Sequence, residues 1–90
     1  MARPKQCNFD QARGAGADFS NADIAMSQFR EADLRVALFD EAFCTGASFE
    51  KANLDGASFL GAHDIGGADW TQVRGAITGL DSLAIPYLPP

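Results

Sequence analysis

The sequence predicts an all-β solenoid, a chain that turns a corner at regular intervals and stacks its coils, and three observations point there. Alanine, a small polar residue and a large apolar residue return every five positions, as in ADFSNADIAMSQFREADL over 17–34. Phenylalanine takes every alternate large position, at 9, 19, 29, 39, 49 and 59. The 90-residue chain is too short for two ordinary cores, so the repeat must itself be the core.

Neither regular element suits a five-residue period. On a helix each repeat lands about 140° further round, and the apolar positions smear over the whole surface. On a straight strand an odd period throws successive large residues onto opposite faces. A corner once per five residues removes the conflict, because each short side then points one large and one small residue at a common axis. The large inward residues, the centres, are Phe9, Gly14, Phe19, Ile24, Phe29, Leu34, Phe39, Cys44, Phe49, Leu54 and Phe59. Two positions before each stands a small residue: Cys7, Ala12, Ala17, Ala22, Ser27, Ala32, Ala37, Ala42, Ala47, Ala52 and Ala57. A backbone that approaches the axis leaves no room there for more.

With four sides per coil, centres ten apart face each other and centres twenty apart stack. One wall then carries Phe9, Phe29 and Phe49, and the facing wall Phe19, Phe39 and Phe59, with smaller residues between, which fills a narrow interior without overpacking. Continuing by fives would turn Asp64 inward, and an unpaired buried carboxylate is costly. One extra residue near Gly61, Ala62 and His63 restores the register, with Ile65, Trp70, Gly75 and Leu80 as the next centres.

The near-ideal copies ADFSN, ADIAM, ADLRV, ANLDG and ADWTQ resemble the pentapeptide-repeat family over about residues 7–75. That resemblance implies a right-handed quadrilateral, four-sided parallel β-helix of about four coils. GAGAD around Gly14, SQF at 27–29 and FCT at 43–45 depart from the consensus but keep small residues inside. The expected organisation is an N-terminal extension over 1–6, the β-helix over 7–76 with its bulge near 61–64, and a short C-terminal cap and tail over 77–90. In that tail Leu80, Leu83, Ile85, Tyr87 and Leu88 supply a lid, and Asp81 caps a helical turn before Pro86. MARPKQ offers no matching lid, so the first coil is expected to stack on a second copy or to continue a preceding segment.

Composition narrows the function. Seven basic against twelve acidic residues give a net charge of -5, which disfavours direct nucleic-acid binding. No apolar run reaches the length of a membrane span, and nothing near residue 1 reads as a secretory leader, so a cytoplasmic protein without a membrane partner is expected. Two cysteines make no disulfide framework. His63 beside Asp64 invites an acid–base reading, but such chemistry needs a third positioned group and a pocket. Cys44, at a centre, reads as a small buried hydrophobe. GGADW at 66–70 occurs once and lacks the alternating carboxylates of a calcium loop, and CxxC, HExxH and GxxxxGK[ST] are absent. No catalytic residue, cofactor or metal is therefore expected, and the chain reads as no enzyme.

What remains is the outer surface. Two adjoining walls mix Arg13, Arg30, Arg35, Lys51 and Arg74 with Asp10, Glu31, Asp33, Glu50, Asp55 and Asp69. The other two carry Asp18, Asp23, Asp40, Glu41, Asp64 and Asp81, no basic residue, and the outward apolar side chains Met26, Leu38, Phe43 and Leu60. An acidic, partly apolar face of this kind suits a protein-interaction or scaffold module, with Met26, Leu38, Asp40, Glu41, Phe43, Leu60, Asp18 and Asp23 as its contact residues and a protein partner of unknown identity. The family resemblance also implies an alternative, a DNA mimic acting on DNA gyrase.

Overall fold

The computed structural model describes residues 6–79. Each side of the coil contributes one residue to a parallel bridge with the coil below, and among the described residues no longer strand forms. The expected extended sides are therefore corrected to single bridge residues between turns. Five-residue sides leave room for nothing longer, since three residues of each are spent on the corner.

The bridges form four columns. Asn8, Gln28, Ser48 and Asp69 define wall one; Arg13, Asp33, Asn53 and Arg74, wall two; Asp18, Leu38, Ser58 and Thr78, wall three; Asp23, Phe43 and His63, wall four. Each bridge residue precedes an inward centre, so alternation across the bridge sends its own side chain outward.

The corners explain the consensus. The centre's carbonyl accepts from the N–H three residues on, as Phe9 O does from Ala12 N at 3.0 Å and Phe39 O from Ala42 N at 3.0 Å. Two residues after the centre φ is positive, for example 61° at Gln11, 60° at Met26, 58° at Glu41 and 60° at Lys51. A positive φ at the third position of a four-residue turn is the type II geometry. The small polar residue before the centre completes it: Asn8, Asp18, Asp23, Asp33, Asn53 and Asp69 each accept, through Oδ1, the N–H two residues on. Aspartate or asparagine recurs because it closes this Asx turn.

Inside, the rings stack along each wall and meet edge to face across the axis. Phe9, Phe29, Phe49 and Trp70 follow one another with centroids 4.9, 5.2 and 4.8 Å apart, and Phe19, Phe39 and Phe59 at 5.0 and 4.7 Å. Phe29 and Phe39 meet at 5.8 Å and 89°. Phe29, Phe39, Phe49 and Phe59 are wholly buried, each worth about 1.5–3 kcal/mol of transfer free energy. Ser27, buried among them, accepts from Cys7 N–H at 3.2 Å. The alanines of the later coils are sealed, and their carbonyls accept from the coil below, as Ala37 O does from Ser58 N.

The irregularity falls at the C-terminal edge of the expected bulge. Gly61, Ala62 and His63 keep the twenty-residue register, with Phe43 bridged to His63; the next bridge, Ser48 to Asp69, spans twenty-one. The extra residue is taken up by a single 3-10 turn, Ile65–Gly67, entered through Asp64 at φ 57°. Asp64 points to solvent, as its charge requires, while Ile65 packs half-buried against the core and its carbonyl accepts the Trp70 indole N–H at 2.7 Å. A second shift follows: Arg74 and Thr78 are only four apart, and Thr78 bridges Ser58. Gly79 thereby takes the wall-three position expected for Leu80, and the coil runs through Thr78, past the expected boundary at 76. Leu80, the rest of the expected cap with Asp81, and residues 1–5 lie outside the described residues.

Candidate functional site

Walls one and two are electrostatically matched from within. Arg30 reaches up to Asp10, with Nε donating to Oδ2 at 3.0 Å, and its hydrogen bond holds the Asp10 carboxyl below its ordinary range. Arg35 pairs with Asp33 of its own side at 2.8 Å, and likewise holds that carboxyl low. Gln11 donates to Glu31 at 3.3 Å. Opposite charges one coil apart make these two walls a self-satisfied ladder.

Walls three and four are different. Over residues 6–79 they carry Asp18, Asp23, Asp40, Glu41 and Asp64 and no lysine or arginine. Asp18 is committed to its Asx turn, and hydrogen bonds from Ser20 lower its pKa. Asp40, half-buried, accepts both the Ser58 hydroxyl and Leu60 N–H from the next coil. The Asp64 carboxylate accepts the Thr45 hydroxyl at 2.7 Å. Glu41 stands exposed at a corner, its stem over Gly61.

The apolar residues do not gather into one patch of the register. Leu38, 39% exposed, stands on wall three and Leu60, 65% exposed, at the corner that follows. Met26, 54% exposed, lies at the corner between walls four and one, its thioether draped where a side chain at Gly46 would sit. Phe43 is 45% exposed on wall four and stacks on His63, centroids 4.4 Å apart and planes 12° from parallel. Val36, 59% exposed at the corner leading to wall three, is an outward apolar residue that sequence reasoning missed. His63 was missed as a contact residue too; a bulge at 61–63 takes it out of the wall-four column, where the structure keeps it.

Leu38 and Phe43 share a further property. Both occupy the bridge position that elsewhere holds the Asx acceptor, and among the described residues no side chain accepts from Asp40 N–H or Thr45 N–H. Gln28 and Ser58 also lack a local Asx turn, but there Asp10 and Asp40 of the coil above accept from Arg30 N and Leu60 N. At Leu38 and Phe43 the turn forgoes that bond for an outward apolar side chain.

Cys44 offers no nucleophile at neutral pH. Burial, with the nearby Asp64 charge, pushes its thiol up to about 12. Among the described residues no three histidine, cysteine, aspartate or glutamate side chains converge on a metal position, and no helix is long and apolar enough to cross a membrane.

A four-walled coil of tandem five-residue units, filled by a phenylalanine ladder and open to partners only on its outside, is the class of protein these features define. The chain belongs to the pentapeptide-repeat family: the family model for pentapeptide repeats matches eight copies over residues 5–35 and 27–63. Its fold is that family's right-handed quadrilateral β-helix. Among solved structures it is similar to a pentapeptide repeat protein of the Arabidopsis thaliana thylakoid lumen, with 35% identity over 72% of this chain and a TM-score of 0.69. The chain spans 45% of that protein's length. It also shares the fold of a pentapeptide repeat protein from Nostoc, with a TM-score of 0.73 and 23% identity over 86% of this chain and 71% of that one. No curated protein sequence matches it.

Proposed function

We propose that the chain is a non-enzymatic interaction or scaffold module of the cytoplasm that docks a protein partner on walls three and four. The observation that carries this reading is the pair of exchanges at Leu38 and Phe43, where an exposed apolar side chain stands in place of a turn-closing aspartate or asparagine. A sequence that breaks its own local rule on the surface, with no compensating bond, gains nothing in fold from doing so. The acid on these walls, unmatched by base, supplies the matching electrostatics. Affinity capture from lysate of the source cells, comparing wild type with Phe43→Asp and Leu38→Asp, tests it: loss of at least one retained protein with either variant supports the surface, and equal recovery of every protein rejects it.

A second reading, a DNA mimic that acts on DNA gyrase, draws on the same unmatched acid. It predicts inhibition or protection of gyrase in a supercoiling assay with the purified chain, and no effect at high micromolar concentration removes it. Stacking through the first coil, where Phe9 and Phe19 are only half-buried, belongs to either reading as a means of assembly. A monomer by light scattering at high concentration rejects that assembly.

A further inference from the structure

Resting on the interaction reading above, we infer that the site is wall four, and that it takes a peptide segment in which an aromatic side chain stands beside arginine or lysine. The argument begins with the stacked rings. Phe43 and His63 lie parallel at 4.4 Å along the coil axis, so they turn toward solvent not their faces but their edges. Ring edges carry the positive end of the aromatic quadrupole and meet the face of another ring in the edge-to-face arrangement. The same geometry already packs the interior, where Phe39 meets Phe49 at 89°. Stacking also fixes both rings beforehand, which spares the ordering entropy that a flexible surface side chain loses on binding.

Two neighbours shape the platform. Met26, exposed and unbranched, flanks it at the corner between walls four and one and can adapt to the shape of an incoming ring. On the rim stand three carboxylates: Asp23 directly above Phe43 in the column, Glu41 two residues before Phe43, and Asp64 immediately after His63. Over residues 6–79 walls three and four hold no base to neutralise them, unlike Asp10 and Asp33, which Arg30 and Arg35 pair from within their own walls. An apolar platform inside an uncompensated acidic rim is complementary to an aromatic anchor flanked by cations. Wall three is the poorer candidate. Its Asp18 and Asp40 are tied to backbone and Ser58, and Leu38 stands in its column without an aromatic neighbour.

The test uses fluorescein-labelled synthetic peptides and the full chain, read by fluorescence anisotropy at about 50 and about 200 mM salt. One peptide carries arginine and tryptophan in a glycine–serine background, a second replaces tryptophan by serine, a third replaces arginine by glutamate. Two variants accompany them. Phe43→Thr removes the ring. The triple variant Asp23→Asn, Glu41→Gln, Asp64→Asn removes charge while keeping an Oδ1 acceptor for Ala25 N–H and an acceptor for the Thr45 hydroxyl, so that its coil is preserved; unchanged thermal unfolding verifies this. The arginine–tryptophan peptide is expected to bind, about tenfold tighter than the peptide without tryptophan, and to weaken at the higher salt. Phe43→Thr should lose the tryptophan advantage, and the triple variant should lose most of the salt dependence. Binding of the glutamate peptide as tight as that of the arginine peptide overturns the charge argument. Binding that neither variant weakens moves the site off wall four and overturns the inference while leaving an interaction module. No peptide binding, alongside a cellular partner lost with Phe43→Asp, overturns the partner chemistry alone.

Discussion

Replacing Phe39 by leucine puts the interior ladder to a quantitative test. Phe39 is wholly buried and touches four rings: Phe19 and Phe59 stacked at 5.0 and 4.7 Å, Phe29 and Phe49 edge to face at 5.8 and 5.5 Å. Phe9, in the first coil, is half-buried and touches two, Phe19 at 5.8 Å and Phe29 at 4.9 Å. Leucine keeps most of the apolar character at either site, so the difference isolates ring contacts and the space left behind. Each aromatic pair contributes about 0.5–1.5 kcal/mol beyond burial, less than additively when pairs share a ring. The loss at Phe39 is therefore about 3 kcal/mol with its cavity, against about 1 kcal/mol for Phe9→Leu. In a stacked array coupling passes between neighbouring coils, so an interior coil loses contacts on both sides and the first coil on one. Urea unfolding followed by far-ultraviolet circular dichroism reads both, with the m-value as a check that the same structure unfolds. Equal losses, within about 0.5 kcal/mol, would refute the continuous ladder.

Other consequences follow from the corners and the charges. Val36, a β-branched residue at φ 51° and largely exposed, sits in strain that asparagine relieves; Val36→Asn should raise the urea midpoint by about 0.5–1 kcal/mol equivalent, and a lowered midpoint contradicts the corner geometry. Gly75, at φ 99°, has the Asp55 backbone where a Cβ would go, whereas Gly16, at φ 77°, has nothing within 4 Å. Gly75→Ala should lower the thermal midpoint well beyond Gly16→Ala, which costs about 1 kcal/mol; equal shifts contradict the close approach of the last coil. The carboxyls of Asp10, Asp18, Asp33 and Asp69 have folded pKa values below the ordinary 3.8, through Arg30, Ser20, Arg35 and Thr71 respectively. A lowered folded pKa gives stability that is present in full above the unfolded value and disappears as pH falls through the folded one. Stability should thus hold from neutrality to about pH 4 and decline below it, and the joint variant Asp10→Asn, Asp18→Asn, Asp33→Asn, Asp69→Asn should flatten that decline. An undiminished acid loss in the variant places the responsible groups elsewhere.

The inward ladder was legible because phenylalanine at every tenth position has only one packed solution once corners fall every five residues. The reason for aspartate or asparagine before each centre was not, since the bond it makes is to a backbone N–H two residues on and appears only when the turn is built. The extra residue was foreseeable from Asp64, which cannot go inside, but its place was not. Gly66 and Gly67 let the chain absorb it in a 3-10 turn after His63 instead of before, and this leaves His63 under Phe43. The wall-four ring pair was therefore hidden by a shift of a few residues. Val36 escaped notice because positive φ at a corner normally favours glycine or asparagine, and nothing in the five-residue pattern marks a valine there as outward. The four-residue step between Arg74 and Thr78 left only Gly75 and Gly79 as its trace, two glycines that a reading by fives does not interpret.

Ring-to-ring nuclear Overhauser effects in the isotope-labelled protein measure inside and outside together. The Phe39 ring should show cross-peaks to Phe19, Phe29, Phe49 and Phe59, and the Phe43 ring to His63 with none to Phe39. Cross-peaks from Phe43 into the phenylalanine ladder, or none between Phe39 and the rings twenty residues away, would mean that the chain is wound in another register and that wall four does not exist as described.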